Sequence, residues 1–189
     1  MRKFTDNKSF DPRRALSPHF RLAEFTKSAT AEKYQLHNVP REECELANLR
    51  ALATEVLEPA RAAIGAPLLI TSGYRSATLN RLVGGTPRSQ HMLGEAADFV
   101  PKMTPLGIDI EAAALLLAAQ SDLPFDQLVY ETRLRENAAP MRWIHISHRR
   151  FGRNRRDVLS VVHTPDGRRE TPGIQGLSSF VSEPNLAVA

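Results

Sequence analysis

Between Arg41 and Gly65 the apolar residues Leu46, Leu49, Leu52, Ala53, Val56, Ala60 and Ile64 recur at steps of three and four, which lines them along one side of an α-helix. Pro59, with no N–H to donate, is expected to bend that helix, and Gly65 to stop it. The pattern then shortens. Leu68–Thr71, Ala96–Val100, Gln127–Glu131 and Trp143–Ser147 each read as a strand, with a weaker fifth at Val158–His163. A second helix is expected over about Asp109 to Gln120. The strands are separated by irregular segments of unequal length, and helices gather early and once in the middle. This predicts an α+β fold, a small antiparallel sheet with flanking helices, rather than a doubly wound sheet. No internal repeat is visible.

The ends have a different texture. Residues 1–19 are polar and interrupted by Pro12 and Pro18, so they read as an N-terminal arm leading into a domain over 20–163. After His163 the chain runs Thr-Pro-Asp-Gly-Arg-Arg-Glu-Thr-Pro-Gly and loses periodicity, so 164–189 read as a C-terminal tail. A length of 189 residues with 42% hydrophobic and 24% charged residues suits one globular domain with such appendages. With one Cys in the chain, disulfide-stapled modules, Cys-based zinc fingers and iron–sulfur centres are excluded. The longest apolar run, Ala112–Ala119, is far short of the ~20 residues a membrane-spanning helix needs. The first twenty residues carry Arg2, Lys3, Asp6, Lys8, Asp11, Arg13 and Arg14 without an apolar stretch, so no cleaved signal peptide is expected and synthesis is placed in the cytoplasm.

Candidate chemistry begins at Thr71-Ser72-Gly73-Tyr74-Arg75-Ser76, where an apolar strand runs into a glycine turn that ends in a placed cation. Ser89-Gln90-His91-Met92-Leu93-Gly94-Glu95-Ala96-Ala97-Asp98 follows. In the predicted strand Ala96, Asp98 and Val100 share a face, and Gly94 lets the preceding loop fold back, so His91 can meet Asp98. In Trp143-Ile144-His145-Ile146-Ser147 the two isoleucines face a core while Trp143, His145 and Ser147 project together from the other side. Either histidine alone would read as a hydrogen-bonded core residue. Two imidazoles and a carboxylate with an open position are the ligand set of a catalytic zinc, so His91, Asp98 and His145 are expected to hold one Zn²⁺ per chain on the open face of the sheet.

Such a site needs a base and a countercharge. Glu131 shares a strand face with Gln127 and Val129, opposite Leu128 and Tyr130, and is the expected base; Asp126, nearer the turn, is the weaker candidate. A structural ion pair at a strand end is the alternative for Glu131. Arg75 is the expected cation for a substrate carboxylate or an oxyanion, with a structural salt bridge as its alternative.

Together these residues resemble the zinc D-alanyl-D-alanine peptidase family. Its Ser-Gly-Tyr-Arg, Ser-x-His, Gly, Ala-x-Asp, acidic residue and Trp-x-His are met at Ser72–Arg75, Ser89/His91, Gly94, Ala96/Asp98, Glu131 and Trp143/His145. Phe20–Ser28, the Asn-x-Pro at Asn38–Pro40 and Asn48-Leu49-Arg50 resemble its phage-associated branch, so the resemblance covers about Phe20 to Val162. It implies a fold like that of D-Ala-D-Ala carboxypeptidases and hedgehog proteins. The implied activity is hydrolysis of peptidoglycan stem-peptide bonds involving D-amino acids, by a phage endolysin or a virion-associated wall-degrading protein. The chain would then act at the cell wall or travel in a virion. Ser89 is expected to bind substrate or to orient His91. Several relatives place the base three residues before the last histidine ligand; that position here is Arg142, so the role must shift to Glu131 or be lost.

The net charge of +4 adds an anionic partner to the picture, and five Arg fall within Arg149–Arg156. Arg149, Arg150, Arg153, Arg155 and Arg156 are expected either to lie in a solvated turn or to contact an anionic wall polymer. Nucleic acid is not the expected partner, because no helix–turn–helix, zinc-finger or aromatic RNA-binding pattern is present. His148 and His163 lie beyond the motifs and are expected at the surface. An alternative function is a virion structural or tail-associated protein that keeps the fold as a binding or assembly module and uses the arm and tail to contact virion proteins.

Overall fold

The computed structural model describes residues 11–102 and 109–176. Two short helices come first, α1 (Leu22–Thr26) and α2 (Ala29–Lys33), the second capped by Ser28, whose side chain accepts from the Ala31 N–H. Phe20, Leu22 and Phe25 are buried here, and so is Leu16 from the stretch read as an arm. The periodic segment 41–65 folds as α3 (Glu43–Ala51), a π-helical turn (Leu52–Leu57) and α4 (Glu58–Ile64). Pro59 stands near the start of α4, which continues from the π-helical turn with right-handed helical backbone at Leu57 and Glu58, so the irregularity expected at the proline is spread over Leu52–Leu57, just before it. All seven periodic apolar residues are buried, and Gly65 ends α4 at φ +70°.

Six strands form one sheet: β1 (Leu68–Ser72), β2 (Ala96–Pro101), β3 (Gln127–Arg135), β4 (Ala138–Ser147), β5 (Asp157–Thr164) and β6 (Gly167–Pro172). Their spatial order is β1-β2-β4-β3-β5-β6. Helices α5 (Ala77–Leu82) and α6 (Ile110–Ala119) complete the fold, α6 starting at Asp109, whose carboxylate accepts from the Ala112 N–H at 2.8 Å. One sheet face carries Ala97, Phe99, Leu128, Tyr130, Ile144 and Ile146 into a single core with α3, α4 and α6. The other face is not covered by these helices and displays Asp98, Glu131, Trp143 and His145, which share it by register. The α+β architecture with a helix-flanked sheet is therefore as expected. No helix among the described residues is long and apolar enough to cross a membrane.

Two features depart from the sequence reading. All neighbouring strands are antiparallel except β3 and β5, which run parallel with Gln127 opposite Asp157. Residues 148–156 cross the end of β3 to start β5 on its far side, and this crossover is the Arg-rich segment. The second departure is β6, which pairs with β5 inside the stretch whose Gly, Pro and charge content resembles a tail. Its burial is low because it is an edge strand, so its sequence lacks the apolar signal of a core strand.

The crossover ties part of the Arg cluster to the protein's own turn. Asp126 is fully buried and accepts from the Arg155 side chain at 2.9 and 2.7 Å, with Arg149 Nε 3.3 Å away. Arg155 also reaches Asp157 at 3.0 Å. Arg156 bonds the carbonyls of Leu123 and Gln120 and lies over the Phe125 ring. Arg150 covers Phe151, and Arg153 is exposed. Three of the five cations are thus committed to fixing the chain's own turn, because a crossover this short buries a carboxylate that must be paired. Asp126, the weaker base candidate, is consumed by the same clamp.

Candidate metal centre

Three elements deliver the candidate ligands. Asp98 on β2 lies directly opposite His145 on β4, and opposite residues of an antiparallel pair point to the same side. His91 comes from a single 3₁₀ turn, Gln90–Leu93, that precedes β2. Gly94 closes this turn at φ +70°, and a Cβ there would stand 2.4 Å from the Glu45 carbonyl oxygen of α3. Only glycine allows both the backbone conformation and the approach. Asn48 of α3 donates to the Leu93 carbonyl at 2.9 Å, holding the turn from the same side.

The polar atoms converge. His145 Nδ1 lies 2.8 Å from Asp98 Oδ1, His91 Nε2 lies 3.3 Å from the same oxygen, and the two imidazole nitrogens are 3.3 Å apart. One ligand atom from each residue falls within 4.8 Å of the others, a cluster that could hold a metal ion. Ligand atoms ~2.0–2.2 Å from a tetrahedral ion are about 3.3–3.6 Å apart, so this triangle is close to the size zinc requires. His91 Nδ1 donates to the Gly73 carbonyl at 2.7 Å, which fixes the tautomer and leaves the Nε2 lone pair facing the cluster. Burial pulls the His91 imidazole below its ordinary pKa, with Asp98 opposing, so the ring favours the neutral form a ligand needs. For Asp98, burial acts to raise the pKa, but the imidazoles of His91 and His145 outweigh it and hold the carboxyl well below its usual range.

The Ser-Gly-Tyr-Arg segment supports this cluster residue by residue. Arg75 Nη2 donates to Asp98 Oδ2 at 2.7 Å and its Nε to Ser72 Oγ at 3.0 Å. Gly73 packs where a Cβ would meet Phe25 backbone at 2.6 Å. Tyr74 is buried and donates to Glu45 at 3.2 Å, and burial together with that carboxylate pushes its hydroxyl up to about 12. Asn38 accepts from the Ser76 N–H at 2.8 Å and donates to the Tyr74 carbonyl at 3.0 Å, so the Asn-x-Pro motif fastens the turn after β1.

The remaining sequence candidates fall as follows. Glu131 lies opposite Trp143, two pairs along β3 from Val129, which faces His145. Glu131 Oε2 is 2.6 Å from His163 Nε2, and the His163 ring stacks on Trp143 with centroids 5.7 Å apart and planes at 19°. His163 is therefore not a plain surface residue; the parallel β3–β5 register, which strand alternation alone does not reveal, carries it to Glu131. His148 is buried rather than exposed, with Nδ1 2.7 Å from the Pro124 carbonyl. Ser89 stands at the start of the 3₁₀ turn and caps no helical N–H with its hydroxyl. Ser147 is buried and accepts from the Gln127 N–H at 3.1 Å, a bond that joins β4 to the start of β3.

The family model described as Peptidase M15 matches residues 18–147. No curated protein matches the chain.

Proposed function

Because the chain belongs to the Peptidase M15 family, whose members are zinc-dependent peptidases, we propose that it hydrolyses peptidoglycan stem-peptide bonds involving D-amino acids, as a phage endolysin or a virion-borne wall-degrading protein. The observation that carries the chemical part is the convergence of His91 Nε2, Asp98 Oδ1 and His145 Nδ1 on the sheet face opposite the helical core, beside a cation. These three residues would hold zinc, which supplies Lewis acidity at the scissile carbonyl and makes water a nucleophile at neutral pH. Glu131 accepts the proton of the attacking water and returns it to the leaving amine.

Arg75 has two of its nitrogens tied to Asp98 and Ser72. Its Nη1 makes no hydrogen bond among the described residues and is left for the developing oxyanion or a substrate carboxylate. Ser89 is partly exposed at the mouth of the His91 turn and takes a substrate-binding role. The phage setting rests on the flanks Phe20–Ser28 and Asn38–Pro40, which resemble that branch.

The test is digestion of purified peptidoglycan by the zinc-loaded protein, with and without a chelator, and identification of the fragments by mass spectrometry. Chelator-sensitive release of products cut beside a D-residue supports the reading. Intact stem peptides in both arms overturn it, and wall binding without cleavage would favour an assembly module instead.

A further inference from the structure

Glu131 does not stand alone on the open sheet face. His163 Nε2 reaches only its Oε2, at 2.6 Å, while Oε1 has no hydrogen-bond partner among the described residues. The pair is largely sheltered, with side-chain exposures of 26% for His163 and 16% for Glu131. The imidazole is in turn held flat against Trp143, two residues before the ligand His145, and the Arg133 guanidinium lies 5.5 Å from the same indole. Three adjacent strands contribute: Trp143 from β4, Glu131 and Arg133 from β3, and His163 from β5, the last opposite Arg133 in the parallel register.

This arrangement solves a problem that a proton acceptor on a flexible two-carbon stem presents. A general base must be held within hydrogen-bond reach of the proton it takes, and small misplacements are costly in rate. One carboxylate oxygen anchored by an N–H donor, with the other left open, fixes the carboxylate plane while preserving the acceptor. We infer that His163 is a positioning residue for Glu131, anchoring Oε2 so that Oε1 faces the reacting water. The inference rests on the reading of Glu131 as the base. It extends the working site beyond the family-matched span, which ends at residue 147, into β5.

The test uses the zinc-loaded full chain and soluble muropeptides released from purified peptidoglycan, with kcat, KM, bound zinc and Tm measured together. His163→Leu is expected to lower kcat about 10- to 100-fold with KM and zinc content unchanged. His163→Gln places an amide N–H near the position of Nε2 and is expected to recover most of that loss. In the Glu131→Gln background, His163→Leu is expected to add no further loss. If Glu131→Gln is inactive while His163→Leu keeps the parent kcat, the positioning role is overturned and the base stands. If His163→Leu slows the Glu131→Gln variant by the same factor as the parent, His163 acts independently and the inference fails. Should Glu131→Gln remain fully active, the base reading itself fails and the positioning role with it. Where His163→Leu loses zinc or unfolds, the same comparison is made with His163→Gln: a kcat near the parent's supports the role, and a loss as deep as that of Glu131→Gln in a folded, zinc-loaded protein overturns it.

Discussion

Asp98 Oδ1 sits between two imidazole nitrogens, 2.8 Å from His145 and 3.3 Å from His91, while its Oδ2 accepts from Arg75 at 2.7 Å. One carboxylate thus divides its oxygens between the cluster and the cation. The rigid part of this arrangement is the β2–β4 pairing, because Asp98 and His145 are direct register partners. His91 is delivered by a turn rather than by a strand, and its place depends on the Gly94 approach to Glu45 and on the bond from Asn48 to Leu93.

Metal content should reflect this. Purified protein is expected to bind about one zinc per chain, and zinc at one hundred times its Kd should stabilise the fold by ~2.7 kcal/mol, visible as a higher Tm. His91→Ala should abolish both the Tm response and the activity. Failure of zinc to bind on reconstitution, measured by metal analysis after dialysis, would remove the basis of the catalytic reading.

Glu131→Gln should leave zinc stoichiometry intact and lower turnover by roughly 10²–10⁴-fold, the range for loss of a general base. Retention of nearly full turnover would assign Glu131 to the structural ion pair with His163.

Gly94 and Gly84 offer a matched comparison. Both have positive φ, +70° and +73°, but a Cβ at Gly94 meets the Glu45 carbonyl at 2.4 Å whereas one at Gly84 has nothing within 4 Å. Gly84→Ala should therefore cost about 1–2 kcal/mol, the conformational penalty alone. Gly94→Ala should cost more and also weaken zinc binding, since the clash displaces the turn that carries His91. Equal losses in denaturant titrations, with equal zinc affinity, would contradict the role given to the Glu45 approach.

Asp126 governs the crossover and supplies an acid-sensitive component of stability. Burial acts to raise its pKa, but the side-chain and backbone hydrogen bonds from Arg155 prevail and lower it. An Asp with a depressed folded pKa contributes stability that is complete above the unfolded value, about 3.9, and is lost as pH falls through the folded value. Asp126→Asn should cost on the order of 2–3 kcal/mol at pH 7, below the range for fully buried pairs because Arg155 keeps access to water. Its stability should also fall less steeply than the parent's below about pH 4. Arg153→Glu, at an exposed position, should stay within about ±0.5 kcal/mol. A parent-like acid slope in Asp126→Asn would show that the clamp is not the source of the acid sensitivity.

The sheet-borne parts of the site are legible in the sequence because strand alternation is local: Ile144 and Ile146 going inward forces His145 outward, and the same holds for Phe99 and Asp98. The seven apolar positions of residues 41–65 mark their helix for a similar reason, although the π-helical turn that accommodates Pro59 leaves no signature. What cannot be read there depends on contacts between distant segments. The parallel β3–β5 register, the pairing of β6 and the capture of Arg149 and Arg155 by Asp126 join residues whose own neighbourhoods look like turn or tail. His163 escapes notice for that reason, since its alternation gives a face but not the strand that lies beside it.

The position of β5 also bears on where this catalytic unit could be cut. A chain shortened to end at residue 147 would keep all three residues of the candidate metal cluster, yet it would leave β3 as a bare border of the sheet, with the N–H and C=O groups that bond β5 open to any extended chain. Unpaired borders of this kind template intermolecular strand addition, so the shortened unit would be prone to aggregate although its ligand set is complete. A graft of this activity onto another scaffold therefore has to carry the chain through Pro172, because β6 is the strand that closes the border β5 would otherwise present.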